Sequence, residues 1–328
     1  MKSVKIIGTG SYAPSKIVTN SDLSEIVDTN DEWISSRTGI RERRITTGED
    51  TSVLSTKAAL EAIKNANINP LDIDLIVVGT ASPDKFIPST ACIVQAEIGA
   101  ENSTCFDIAA ACSGFVYALN IGTQFIKAGQ CKTALVIGAE VLSKIVDWSD
   151  RSTCVLFGDG AGAAILQSSE EENGILSIYT GSDGRNAAEL LGCSAVPVRN
   201  PFIKSTEKQE SLVTMSGKDI FRFGTKIIPK CIEEVLKEED CTIEDIKYIV
   251  PHQANMRIID SAAKRLEINS DKFYMNLDKY GNTSAASIPL ALDEMAKNGL
   301  LHRGDKIILV GFGGGLTFGA ALIKWMID

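Results

Sequence analysis

Four short sequences recur in the same order along this chain, at an almost constant distance. Thr9-Gly10-Ser11 returns 171 residues later as Thr180-Gly181-Ser182. Asp72-Ile73-Asp74-Leu75-Ile76-Val77 returns as Asp245-Ile246-Lys247-Tyr248-Ile249-Val250, and Leu135-Val136-Ile137-Gly138 as Ile308-Leu309-Val310-Gly311, both offset by 173. Ala163-Ala164-Ile165-Leu166 returns as Ala320-Ala321-Leu322-Ile323, offset by 157. Repetition on this scale means one supersecondary unit used twice, each copy burying its apolar faces against the other. The polar stretch Ser168–Asn173 is the natural seam, giving an N-terminal half over 1–170 and a C-terminal half over 171–328. The smaller last offset places an insertion in the first half, between about Glu140 and Val155.

Within each half, short β-branched runs alternate with helical spacing. Leu75–Val78 and Ala134–Ile137 read as buried strands, and so does Tyr248–Val250. Leu54–Asn65, Phe115–Lys127, Met256–Leu266 and Ile288–Lys297 read as helices. The alternation predicts α/β layers with mostly parallel sheets, stacked about a pseudo-twofold axis. Each half is expected to end in two strands joined by a Gly-rich turn, Gly158–Gly162 and Gly311–Gly315. These glycines do not form a dinucleotide fingerprint, which needs strand, G-x-G-x-x-G and helix in succession. Gly8-Thr9-Gly10 lacks the third glycine, and Gly311–Gly315 runs into another strand-like segment.

Composition removes other classes. With 328 residues, 44% of them apolar, the chain has ample material for a core. A net charge of −9 argues against nucleic-acid binding, which depends on Lys and Arg neutralising phosphates. No apolar run approaches the ~20 residues that span a bilayer, and the N-terminus turns polar too soon for a signal peptide, so no membrane association and a cytoplasmic location are expected. Eight cysteines without a C-x-x-C pair, and only two histidines, predict reduced thiols and no metal site.

One thiol stands apart. Cys112 lies between the strand-like run from Cys105 and a helix starting near Ser113, among Ala109, Ala110, Ala111 and Gly114. A helix N-terminus favours thiolate and is able to lower a cysteine pKa toward neutrality, although the sequence does not give the thiol's actual pKa. A buried structural cysteine fits the same position. His252, in Val250-Pro251-His252-Gln253-Ala254-Asn255, sits at the carboxyl end of a strand, where open α/β sheets place ligands. Applying the offset of 173 maps Cys112 onto Ala285, three residues from Asn282, and maps His252 onto Gly79. The repeat thus brings Cys112, His252 and Asn282 toward one axis, although a core histidine and a helix-capping asparagine are the ordinary uses of the latter two.

These segments, with Asp31-Glu32-Trp33-Ile34, Arg37–Arg43, Phe157–Ala164, Gly281–Ser287 and Phe312–Gly315, closely resemble the β-ketoacyl-acyl-carrier-protein synthase III family. Its members are the initiating condensing enzymes of bacterial fatty-acid synthesis, and the resemblance spans essentially the whole chain. It implies a thiolase-like fold with duplicated halves in five layers, αβαβα, assembled as a homodimer. It implies a ping-pong reaction: Cys112 takes an acyl group from acyl-CoA, and malonyl-ACP then loses CO₂ and condenses to give 3-ketoacyl-ACP. No cofactor is implied, since the coenzyme A thioester is a substrate. Elongating relatives use Cys with two histidines, and His302, in the polar stretch before the last strands, reads as a surface residue. Thiolases use a second C-terminal cysteine, and none follows Cys241.

By the same resemblance, His252 and Asn282 would hold the malonyl thioester oxygen, and the N–H groups of Cys112 and Gly314 would form the oxyanion hole. Trp33, Arg37 and Arg151 would bind the nucleotide end of coenzyme A. Thr29, Gly217, Phe221, Ala254, Asn255 and Phe312 would line the pantetheine tunnel. Because the chain is acidic, docking of the equally acidic acyl-carrier protein would need a local basic patch, for which Arg222, Arg257, Lys264 and Arg265 are candidates. Ile87, in a segment contributed across the dimer, would shape the primer pocket and admit branched or four-carbon primers beside acetyl-CoA. A starter synthase for other acyl products and a non-catalytic acyl-CoA-binding protein are the competing readings, and the three polar residues together argue against the second.

Overall fold

The computed structural model describes residues 2–328 except 172, 186, 199 and 203–210. Glu172, inside the seam, is therefore outside the described residues. The first half supplies strands β1 (Ser3–Tyr12), β2 (Leu75–Gly79), β3 (Thr104–Ile108), β4 (Thr133–Val141) and β5 (Asp159–Ser169), in sheet order β1-β5-β4-β2-β3. The second supplies β6 (Ile175–Ser182), β7 (Ile246–Pro251), β8 (Lys306–Gly313) and β9 (Thr317–Lys324), in order β6-β9-β8-β7. The two orders superimpose strand for strand. Where β3 lies in the first sheet, the second has only a bridge from Ile249 to Phe273. β2 pairs in parallel with both β3 and β4, and β7 with β8, while β4–β5, β5–β1, β8–β9 and β9–β6 are antiparallel. The expected mostly parallel pairing is thus corrected: β5 and β9 follow their neighbours without a helical crossover and return antiparallel.

The helices used below are α1 (Asp31–Thr38), α2 (Thr51–Ala66), α3 (Thr90–Ile98), α4 (Gly114–Lys127), α5 (Gly217–Glu238), α6 (Met256–Arg265) and α7 (Ser287–Lys297). Phe115, Val116 and Leu119 of α4 and Ile288, Leu292 and Met295 of α7 share one core with Val77, Val136, Val250 and Leu309 from both sheets. The other face of the first sheet packs under α2 and α3, and the other face of the second under α5 and α6. The order is therefore helix, sheet, helix, sheet, helix. A sheet covered on both faces needs apolar residues at every position, not at alternate ones. β4 is buried at every position from Thr133 to Val141, and it is apolar throughout except at Thr133 and Glu140.

Two glycine segments find their explanation in packing. A Cβ on Gly8 or Gly10 would lie 2.6 or 2.3 Å from the backbone nitrogens of Ala66 or Ala62, so these glycines let α2 lie against β1. The expected turn at Gly158–Gly162 is corrected: residues 159–162 belong to β5, and β4 reaches it through the long connection Leu142–Gly158. There, a Cβ on Gly162 would lie 2.7 Å from the Leu290 nitrogen, so the small residues admit α7. The second half does have the short turn, Gly314–Leu316 between β8 and β9. Among the described residues no helix is long and apolar enough to cross a membrane, and no metal-binding cluster is present.

Candidate active site

Both halves make the same junction on the way into the central layer. Residues Ala111–Ser113 form a single 3-10 turn before α4, and Ser284–Ala286 form another before α7. Ala111 (φ 43°) and Ser284 (φ 48°) are 173 positions apart, and both hold the left-handed conformation that non-glycine residues avoid. The two turns meet at the axis, where a Cβ added to Gly114 would be 3.0 Å from the Ala285 Cβ. Cys112 is thereby fixed on one turn, and Asn282 leads into the other.

Burial pushes the Cys112 thiol up to about 11, overriding the Ser284 hydroxyl and the backbone N–H groups of Cys112 and Gly314, which favour thiolate. The buried Glu140 carboxylate adds to the rise. Backbone N–H groups favour the thiolate, as a helix start does, but desolvation is the larger effect. Gly313 lies against the same thiol, since a Cβ there would sit 2.6 Å from Cys112 Cβ and 2.8 Å from Sγ.

His252 follows β7 and donates its backbone N–H to the Val310 carbonyl at 2.7 Å. Its Nδ1 is 2.8 Å from Ser287 Oγ, which itself donates to the Ser284 carbonyl at 2.8 Å. A hydroxyl has one proton to give, so the imidazole carries its proton on Nδ1 when Ser287 serves the Ser284 carbonyl and on Nε2 when Ser287 serves Nδ1. Burial holds the ring neutral by drawing its pKa down to about 3. Phe312 meets the ring edge-on, with centroids 5.5 Å apart. Asn282 Oδ1 accepts from the Ser284 N–H at 2.9 Å, which leaves its two amide donors for a ligand.

Two cavities share Cys112 in their walls. One, of about 270 Å³, has apolar walls that include Ala109, Leu142, Ile145, Phe157, Leu191 and Val213. The other, of about 200 Å³, brings His252 and Asn282 together with Gly217, Phe221, Ala254, Asn255 and Phe312. Thr29 lines neither cavity; its hydroxyl is covered and without a partner among the described residues. Just beyond the second cavity, the Arg37 and Arg151 guanidinium carbons lie 4.7 and 5.3 Å from the centre of the Trp33 ring. The cluster joins the cavity wall through Asn255, whose Nδ2 donates to the Arg37 carbonyl at 3.1 Å.

Arg257, Lys264 and Arg265 are exposed on α6, and exposed Arg222 on α5 is 3.7 Å from Asp219. Ile87 is 87% exposed and Phe86 75%, so Ile87 does not enter the cavities of its own chain. His302 is exposed, and the eight cysteines are free. Sequence reasoning missed Glu140, Ser284 and Ser287 as neighbours of the site. The available signal was an acidic residue inside the otherwise apolar run of β4, opposite Gly313 at the repeat offset.

Two family models match, 3-oxoacyl-[acyl-carrier-protein] synthase III over residues 106–184 and the C-terminal part of the same synthase over residues 236–325. A β-ketoacyl-[acyl-carrier-protein] synthase III of Clostridium kluyveri is 62% identical over 324 residues, 99% of each chain. That of Clostridium acetobutylicum is 59% identical over 325 residues, again 99% of each chain. The crystal structure of 3-oxoacyl-[acyl-carrier-protein] synthase III from Aquifex aeolicus superimposes with a TM-score of 0.92 at 47% identity, covering 98% of this chain and 100% of that one. The layered, duplicated architecture is the thiolase fold of these proteins. Full-length identity at this level, shared fold and matched models in both halves agree: the chain belongs to the β-ketoacyl-acyl-carrier-protein synthase III family.

Proposed function

We propose that this chain starts fatty-acid synthesis by condensing an acyl-CoA primer with malonyl-ACP, releasing CO₂ and forming 3-ketoacyl-ACP. The observation that carries the reading is the position of Cys112 where two unlike cavities meet. A ping-pong acyl transfer needs that arrangement. The acyl chain rests in the apolar cavity, while the thiol-bearing arm of each donor in turn enters through the other. A covalent thioester on Cys112 splits one difficult exchange into two easier ones.

In the first half-reaction Cys112 attacks the acyl-CoA carbonyl. The N–H groups of Cys112 and Gly314 stabilise the developing oxyanion, and loss of one such donor typically costs about 10²–10³ in rate. In the second, the malonyl thioester oxygen accepts from Asn282 Nδ2 and His252 Nε2 while charge moves onto it as CO₂ leaves. A neutral His252 donates from Nε2 only if Nδ1 accepts, so the Ser287 hydroxyl turns from the Ser284 carbonyl to Nδ1 when the donor arrives. Trp33 with Arg37 and Arg151 holds the nucleotide end of coenzyme A, an aromatic face and two guanidiniums suiting a phosphorylated purine. The working form is a homodimer in the cytoplasm, with the exposed Phe86 and Ile87 carried into the partner's primer pocket. An Ile87→Phe variant narrows that pocket and turns over branched primers more slowly relative to acetyl-CoA; unchanged primer ratios refute this role.

Intact-mass spectrometry tests the reading. The wild type gains one acetyl group from acetyl-CoA and loses it on addition of malonyl-ACP, with acetoacetyl-ACP appearing; Cys112→Ser gains none. An adduct that survives the chase indicates a different acceptor. Absence of any acyl adduct refutes the assignment of the nucleophile.

A further inference from the structure

Glu140 is a fully buried carboxylate that the reaction above does not use. It projects from β4 toward the junction of the two 3-10 turns. Its Oε2 accepts from Ser82 Oγ at 2.5 Å and Thr80 Oγ1 at 3.3 Å, and the Ala81 N–H lies 3.1–3.2 Å from both oxygens. Its Oε1 accepts from Ser284 Oγ at 3.0 Å. Ser284 and Cys112 line the same cavity where the two turns meet, and the Ser284 hydroxyl favours the thiolate form of Cys112. Three groups thus stand in a row: thiol, hydroxyl, carboxylate.

A buried carboxylate is normally matched to a cation or surrenders its charge. No Lys or Arg among the described residues pairs with Glu140, and burial, partly offset by its four hydrogen-bond donors, raises it to about 7. The charged groups on the elements around β4 face other partners. Asp159 of β5 accepts from Thr46 and Ser143, and Asp293 of α7 from Thr9 and Ser11. On α2, Glu61 engages Ser11 and Lys297, and Lys57 engages Glu49. Glu294 of α7 engages Tyr274 and Lys279, and Tyr117 of α4 donates to the Gly181 carbonyl. Cys112 is the titratable group that faces Glu140 through Ser284. An acid held at the edge of ionisation beside a nucleophile is where a proton acceptor is expected.

We infer that Glu140 stores the proton of the Cys112 thiol, with the Ser284 hydroxyl as the relay. As Cys112 Sγ bonds to the acyl carbon, its proton passes to Ser284 Oγ while the hydroxyl's own proton passes to Glu140 Oε1. The carbon–sulfur bond to coenzyme A breaks, and the departing thiolate takes a proton from water. When condensation releases Cys112 as thiolate, the stored proton returns by the same path. One solvent proton is consumed in the cycle, which balances the loss of the malonyl carboxylate as CO₂. Glu140 acts only through Ser284, so it positions and stores a proton and touches no substrate.

This inference rests on the proposed acyl transfer, but alkylation of Cys112 by iodoacetamide tests it independently of any thioester. The rate is followed by intact mass between about pH 5.5 and 9. In the wild type it rises through an inflection near neutrality, where Glu140 ionises. Glu140→Gln and Ser284→Ala lose that inflection and alkylate at least ~10-fold more slowly at about pH 7.5. Ser82→Ala removes one donor to the carboxylate and moves the inflection to higher pH. If Glu140 acted through its charge alone, Glu140→Gln would relieve the thiol of a neighbouring anion and alkylate faster; that result overturns the relay, as does a wild-type rate in Ser284→Ala. Should Glu140→Gln fail to fold, Ser284→Ala carries the test alone, because Glu140 retains Ser82, Thr80 and the Ala81 N–H. Acetylation by acetyl-CoA is then measured on the same proteins. A wild type that shows the inflection yet takes no acyl group counts against the condensing reaction and leaves the relay standing.

Discussion

Replacing Gly313 with alanine separates the geometry of the nucleophile from the stability of the fold. Gly313 has an extended backbone, with φ 173°, so alanine suffers no conformational penalty there and any effect is steric. The added methyl would sit 2.6 Å from Cys112 Cβ, 2.8 Å from its Sγ and 3.2 Å from its nitrogen. Carbon atoms in contact prefer ~3.5–4.0 Å, so the turn that carries Cys112 has to retreat by about 1 Å. Overpacking of this kind costs ~1–3 kcal/mol. At ~2–4 °C per kcal/mol for a protein of this class, the melting temperature falls by about 2–12 °C. A 1 Å displacement of a reacting atom costs ~10²-fold in rate. The expected result is a folded variant, melting slightly early, whose acylation by acetyl-CoA is slower by about two orders of magnitude. Gly99→Ala is the control: it strains a left-handed residue with nothing within 4 Å and far from Cys112, and lowers the melting temperature without slowing acylation. The reasoning fails if Gly313→Ala is acylated at the wild-type rate, or if Gly99→Ala slows acylation equally.

His252 has a pKa of about 3 in the fold against 6.5 when unfolded, so the unfolded chain binds the extra proton. Its contribution is complete above pH 6.5 and disappears as pH falls toward 3, a loss of up to about 5 kcal/mol. Glu140 runs oppositely: raised from 4.5 to about 7, it favours the fold below pH 4.5 and loses that contribution as pH rises through about 7. Melting of His252→Asn therefore varies less between neutral and acid pH than melting of the wild type, and an equal acid slope in both refutes the buried neutral imidazole. Ser287→Ala strands His252 Nδ1 and slows condensation about 10-fold while sparing acylation, since an unpaired buried group costs ~1–3 kcal/mol; equal loss in both half-reactions rules out a role confined to His252. Arg257→Glu raises the KM for malonyl-ACP, more strongly at low ionic strength, and leaves acylation by acetyl-CoA unchanged; unchanged use of malonyl-ACP removes α6 from the docking surface.

The repeat by itself makes the layers legible. The offset of 173 places Cys112 against Ala285 and near Asn282, and the two turns do meet at Gly114 and Ala285. Helix boundaries follow from periodicity to within a few residues, because α2, α4, α6 and α7 each have one face set by the core. Residues 159–162 mislead because Gly-rich sequence marks close packing as readily as a turn, and only the partner helix distinguishes the two. The thiol's pKa is illegible for a related reason. A helix start is visible in sequence, but the depth at which it is buried is set by elements far away in the chain. Glu140 gives little sign of its role because its partners come from three separate segments, at 80–82, 112 and 284, which no local spacing connects.

Ala111 and Ser284 both hold a conformation costing roughly 1–2 kcal/mol, although only one of the two turns bears a nucleophile. The second turn preserves the shape of the first without its purpose. That makes the paired turns a mounting frame with interchangeable occupants: one carries sulfur, while its twin offers a hydroxyl and an amide. Redesign of such a chain can proceed by changing tenants at 111–113 and 284–286 while the frame stays fixed, because the aim of each position is set by backbone. A side chain at Ala285 is related to that of Cys112 by the same pseudo-twofold axis, and because Ala285 is buried against the other turn, a larger group there needs space made for it.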